Sequence, residues 1–125
     1  MQTLRQTWLL LGWVWIAAIA YFSLISHPPE PIHFEYSDTV EHALAYGLLM
    51  LWFCQPYQKL AHRIVLAVLL MALGVSLEFL QRMTGYRYFE YSDMLANSAG
   101  VLLGWVLART VMGRIGILLE IKLFN

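Results

Sequence analysis

Asp38, Glu41 and His42 stand at positions i, i+3 and i+4 of one stretch, with Tyr46 a turn further on. On a helix, residues so spaced share a face. Glu78, Gln81 and Arg82 repeat this spacing directly after residues 64–77, a run without a single charge, and Asp93 and Asn97 stand one turn apart ahead of Gly100 and Gly104. The chemistry within reach of these types is specific. A histidine beside a carboxylate can act as general acid and base, which makes His42, Glu78 and Asp93 the candidate catalytic residues. Arg82 and Arg87 offer paired N–H donors to a phosphate or carboxylate. Asp38 and Glu78 would accept from amino or hydroxyl groups, and Tyr46, Gln81 and Asn97 complete a candidate ligand-binding set. No serine or cysteine nucleophile stands among them, which weakens any case for acyl transfer.

These groups are set in a chain that is otherwise poor in charge. Of 125 residues, 60% are hydrophobic and 13% charged, and the formal net charge is zero. A soluble domain carries about twice that charged fraction, so lipid must solvate part of this chain. There is no basic block to attract nucleic acid. Cys54 is the single cysteine, which excludes a disulfide framework and a cysteine-based metal cluster. The histidines and carboxylates lack metal-ligand spacing, and no cofactor motif is present. The partner implied is the membrane itself.

Four spans are expected, at about residues 4–25, 38–56, 64–83 and 94–112, since a crossing takes ~20 mostly apolar residues. Pro28, Pro29 and Pro31 mark a stiff connector after the first. Ala18-Ile19-Ala20 resembles a signal-peptide cleavage site, but the apolar run continues to Ile25 and carries bulky tryptophans, so the first span is read as retained. The segment after the fourth mixes apolar residues with Arg114, Glu120 and Lys122, and is expected to lie in the interface, as helix or strand. The fold expected is an all-α, four-helix membrane bundle forming a single domain.

With both termini in the cytoplasm, the inner side collects Arg5, Lys59, Arg63, Arg109, Arg114 and Lys122, against Arg82 and Arg87 outside. The basic-residue rule favours that topology. The carboxylates crowd the outer half, with only Glu120 inside, although acidic residues contribute little to topology. A polar site facing the extracytoplasmic side accounts for them: ionisable groups inside a bilayer face a bundle interior and pair with one another. The bland readings stand beside this one. Glu78, Gln81 and Arg82 can be a helix end meeting headgroups, and Asp93 can be an N-cap. His42 can be a structural hydrogen-bonding group, and the tryptophans interfacial anchors. Gly100 and Gly104 are read as packing residues, which serve equally within one chain, in a homo-oligomer or against a partner membrane protein.

The pattern resembles the VanZ-like family of small bacterial integral membrane proteins, named for a protein linked to teicoplanin resistance. "DTVEHALAY" supplies Asp38, His42 and Tyr46, with Thr39 where the family has a lysine. Glu78, Gln81, Arg87, Asp93, Asn97, Gly100 and Gly104 match a second block, and the likeness runs from Ser26 to about Ala108. It implies an inner-membrane, cell-envelope protein, in some members one conferring tolerance to glycopeptide antibiotics. Three functions remain open: binding of a lipid headgroup or lipid-linked envelope or antibiotic ligand, intramembrane catalysis on a headgroup or phosphoester, and structural support of a larger membrane complex.

Overall fold

A computed structural model describes residues 2–25, 37–85 and 91–124, with the backbone alone at residues 2, 3, 37 and 38. Every element among them is helical: α1 (Gln2–Leu24), α2 (Ser37–Phe53), α3 (Leu60–Met83), α4 (Tyr91–Ala108), a 3-10 turn (Val111–Arg114) and α5 (Ile115–Phe124). Leucine and alanine dominate α1 and α3, with three tryptophans added in α1, and each is long and apolar enough to cross a membrane. α2 has only 17 residues, and Asp38, Glu41 and His42 occupy its first half. α4 passes the same test only together with α5, from which it is bent by 77°. The four expected spans are therefore unequal: two freestanding apolar helices, α1 and α3, and two shorter helices with polar ends.

The shorter helices, α2 and α4, make the most extensive helix contact in the molecule. They run parallel, because Ala43 faces Gly100 and Gly47 faces Gly104 in the same order. Each glycine lies against a backbone carbonyl of α2, Gly100 on Ala43 and Gly104 on Gly47, so a methyl group at either would collide with main chain. Small residues four apart on both helices allow this approach, and dispersion and close-packed backbone then hold the pair where lipid provides no hydrophobic drive. Buried Leu49, Met50, Val101 and Leu70 fill the space beside it. α3 packs on α4 and α1 on α2 and α3. Along α1, Trp13 faces outward at 64% exposure, as an anchor would. Trp8 and Trp15 instead stack on Trp52 of α2, with ring centres 4.0 and 6.0 Å away.

Three boundaries depart from expectation. α4 ends at Ala108 rather than near residue 112, because the Thr110 hydroxyl donates to the Leu107 carbonyl and accepts from the Met112 amide, turning the chain. The tail beyond is helical. α3 starts four residues early, at Leu60, which draws Arg63 into the helix and into the protein, at 7% exposure. α4 begins at Tyr91, so Asp93 lies inside its first turn and is not its N-cap.

Candidate polar site at the shared end of the parallel helices

Two parallel helices bring two N-termini to one end and two C-termini to the other. An N-terminus carries about half a positive charge, which favours carboxylates nearby. Asp38 lies in the first turn of α2, with Glu41 a turn further on, and Asp93 lies in the first turn of α4. The gathering of Asp38, Glu41 and Asp93 toward one end of the helix pair thus has a backbone cause as well as a chemical one.

His42 is the hub. Its Nδ1 lies 3.0 Å from Oδ1 of Asn97, and its Nε2 lies 3.7 Å from Oδ2 of Asp93. An amide oxygen only accepts, so Nδ1 carries the hydrogen. Nε2 then faces the Asp93 carboxylate from beyond hydrogen-bond length. Asn97 is 3% and Asp93 8% exposed, so both are withdrawn from lipid.

α3 closes the cluster. Gly74 abuts the Asn97 side chain, with a Cβ there only 3.0 Å from Nδ2. One turn nearer the end, Glu78 therefore reaches the level of Asp93 and His42, buried to 1% exposure. Tyr46, one turn below His42, is buried as well and lies within reach of the Glu78 charge. Glu41 is half-buried, and its Oε1 is sealed from solvent with no hydrogen-bond partner. The ionic residue at the end of the greasy third helix is thus enclosed among polar groups of α2 and α4.

Other expected members are placed differently. Gln81 is buried, but its amide donates to the Ser23 carbonyl at 2.8 Å, tying α3 to the last turn of α1. Arg82, the next residue along, is exposed. Asp38 is located by its backbone alone, and Arg87 lies outside the described residues. Among the described residues no three histidines, cysteines or carboxylates gather as a metal site would require.

A second polar cluster, which the sequence reading treats only as inner-side charge, occupies the opposite end. Arg63 donates to the carbonyls of Tyr57 at 2.8 Å, Ala108 at 3.0 Å and Cys54 at 3.1 Å, and to Oε1 of Gln58 at 3.1 Å. Cys54 directly follows α2 and Ala108 ends α4, so one guanidinium serves the negative ends of both parallel helices. Gln55 adds donors to Leu51 and Met112 and accepts from the Gly116 amide. Gln58 donates to Cys54, Gln55 and Gly113 carbonyls. The available signal was two glutamines and an arginine close around Pro56, a density of donors that a plain loop does not need.

The arrangement defines a class: a small helical membrane protein, built on a glycine-packed parallel pair with a buried ionic cluster at one end. The VanZ/LLP1 family model matches residues 7–113, and the chain belongs to that family. No curated protein and no solved structure matches it significantly.

Proposed function

We propose that this protein is an inner-membrane, cell-envelope factor whose polar end, facing the extracytoplasmic side, binds the head of a membrane lipid or lipid-linked compound through amino or hydroxyl groups. The observation that carries the reading is the half-buried His42 held between buried Asn97 and Asp93, with Glu78 of α3 buried at the same end. Two carboxylic side chains, Glu78 and Asp93, are buried at this end, and Glu41 on α2 keeps an enclosed oxygen that still lacks a donor. Such a site suits a head rich in N–H or O–H donors, as amino sugars and peptide-bearing envelope lipids are. Sequestering or shielding a ligand of this kind at the outer leaflet would give tolerance to a lipid-bearing glycopeptide.

Native mass spectrometry of the purified protein tests it. Wild type should carry a co-purified amphiphile that is lost from Asp93→Asn and Glu78→Gln, with Cys54 still protected from thiol reagents as a sign of folding. Equal retention in all three proteins would rule the site out. A second reading rests on His42 beside Asp93, a histidine–carboxylate pair of the kind that serves acid–base catalysis on a headgroup or phosphoester. It requires that wild type, and not His42→Gln, convert the retained lipid into a product of different mass.

A further inference from the structure

At the end bearing both described termini, a cleft of about 330 Å³ opens where the first turns of α1, the α2–α3 connection and α5 meet. It is separate from the His42 cluster, at the far end of the bundle. Its volume is at the low end for ligand sites, which run from ~300 to 1,000 Å³, and suits a headgroup better than a whole lipid.

The surroundings place its mouth in lipid. Gly116 is the one buried residue of α5, while Ile117, Leu118, Leu119, Ile121, Leu123 and Phe124 are exposed on every side of that helix. Apolar side chains exposed on so many sides, with Glu120 and Lys122 as the only charges on the helix, are best solvated by acyl chains at a membrane boundary. Its 77° bend from α4 lays it across the end of the bundle, as an interfacial helix lies. The cleft between α5 and α1 therefore opens at the boundary of chains and headgroups.

The chemistry of the lining is selective. The amides of Gln55 and Gln58 are occupied by the carbonyls named above, which leaves Arg5 and the Trp8 indole as donors. Arg5 is exposed, with its guanidinium 5.3 Å over the Tyr57 ring. Trp8 Nε1 is buried without an acceptor. A Cβ at residue 116 would come 3.3 Å from that nitrogen, so glycine keeps this wall thin. Glu120 adds a carboxylate to the same lining, which disfavours a purely anionic guest.

We propose that this cleft binds a zwitterionic phospholipid head, with the phosphodiester on Arg5 and the Trp8 N–H, and a primary ammonium toward Glu120. Leu4 and Ile117 flank the first carbons of its chains.

The test uses the full chain in nanodiscs of equal phosphatidylethanolamine, phosphatidylglycerol and phosphatidylcholine, released into the mass spectrometer for counting of retained lipids. Wild type should retain phosphatidylethanolamine preferentially. Arg5→Ala should lower that retention about tenfold, the value of one charge-assisted contact of ~1.4 kcal/mol. Arg109→Ala, which removes an exposed charge from the same end outside the cleft, should leave it unchanged, and Glu120→Gln should shift preference toward phosphatidylglycerol. Equal losses in Arg5→Ala and Arg109→Ala would overturn the site as diffuse interfacial attraction. Displacement of the lipid by excess inorganic phosphate would overturn it in favour of a soluble phosphate. Retention of phosphatidylglycerol as strongly as phosphatidylethanolamine by wild type would overturn the zwitterion assignment.

Discussion

His42 on α2 and Asn97 on α4 are joined by a 3.0 Å hydrogen bond between two helices that run in the same direction. The bond lies one step from the point where Gly100 meets the Ala43 carbonyl, so polar pairing and backbone contact set the same register. A double-mutant cycle of His42→Ala and Asn97→Ala, followed by unfolding in detergent, should give a coupling of about 0.6 kcal/mol and at most ~1.7, the range for interhelical hydrogen bonds in membranes. Strict additivity would mean the bond contributes nothing to the fold.

Gly104 and Gly12 should respond unequally to the same change. A methyl at Gly104 strikes the Gly47 main chain, whereas at Gly12 it meets the tip of the Phe53 side chain, which can shift as main chain cannot. Gly104→Ala should therefore destabilise by about 1–3 kcal/mol, the usual cost of overpacking, and Gly12→Ala by less. Cys54, the one cysteine and fully buried, reports the difference: its thiol should react with maleimide faster in Gly104→Ala than in Gly12→Ala or wild type.

Arg63 should not be replaceable by lysine. Its planar fork reaches Cys54, Ala108, Tyr57 and Gln58 at once, and an ammonium cannot. Arg63→Lys should lower stability by about 1.5–3 kcal/mol, the contribution of hydrogen bonds to a charged group. Arg109→Lys, at an exposed position in the same region, should leave the unfolding midpoint where it was.

Gln81 separates a tether from a ligand group. If its amide chiefly holds the Ser23 carbonyl, Gln81→Leu should loosen α1, seen as faster proteolysis near residues 23–25, while lipid retention at the His42 end persists. Loss of retention without loosening would give Gln81 a binding role.

Much of this was legible in residue types and spacing, and the rest was not for identifiable reasons. The i, i+3, i+4 pattern from Asp38 to His42 and the one-turn step from Asp93 to Asn97 each mark a helix face, and proximity follows once both helices enter from the same side. Gly100 and Gly104 announce a close contact. Their partner stripe, Ala43 and Gly47, has the same four-residue spacing but sits among larger apolar residues that hide it. In the sequence Arg63 looks like a topological charge, because an apolar run is counted from after the last charge, while the backbone continues its helix through that residue. Gln81 and Glu78 lie less than a turn apart, and no periodicity tells which reaches a neighbouring carbonyl and which is enclosed by other ionisable groups.

The parallel course of α2 and α4 has a bearing on how the chain enters the bilayer. α2 is short and brings His42 and Glu41 with it, while the helix that covers them lies some forty residues further along, beyond all of α3. As the chain emerges, α2 cannot settle beside its mate until α3 has crossed and α4 has followed. During synthesis it must wait at the insertion machinery or near the surface. The stripe of glycines is thus a late-closing seam, and variants that loosen it should be recognised by membrane quality-control proteases before any change in the finished protein is seen.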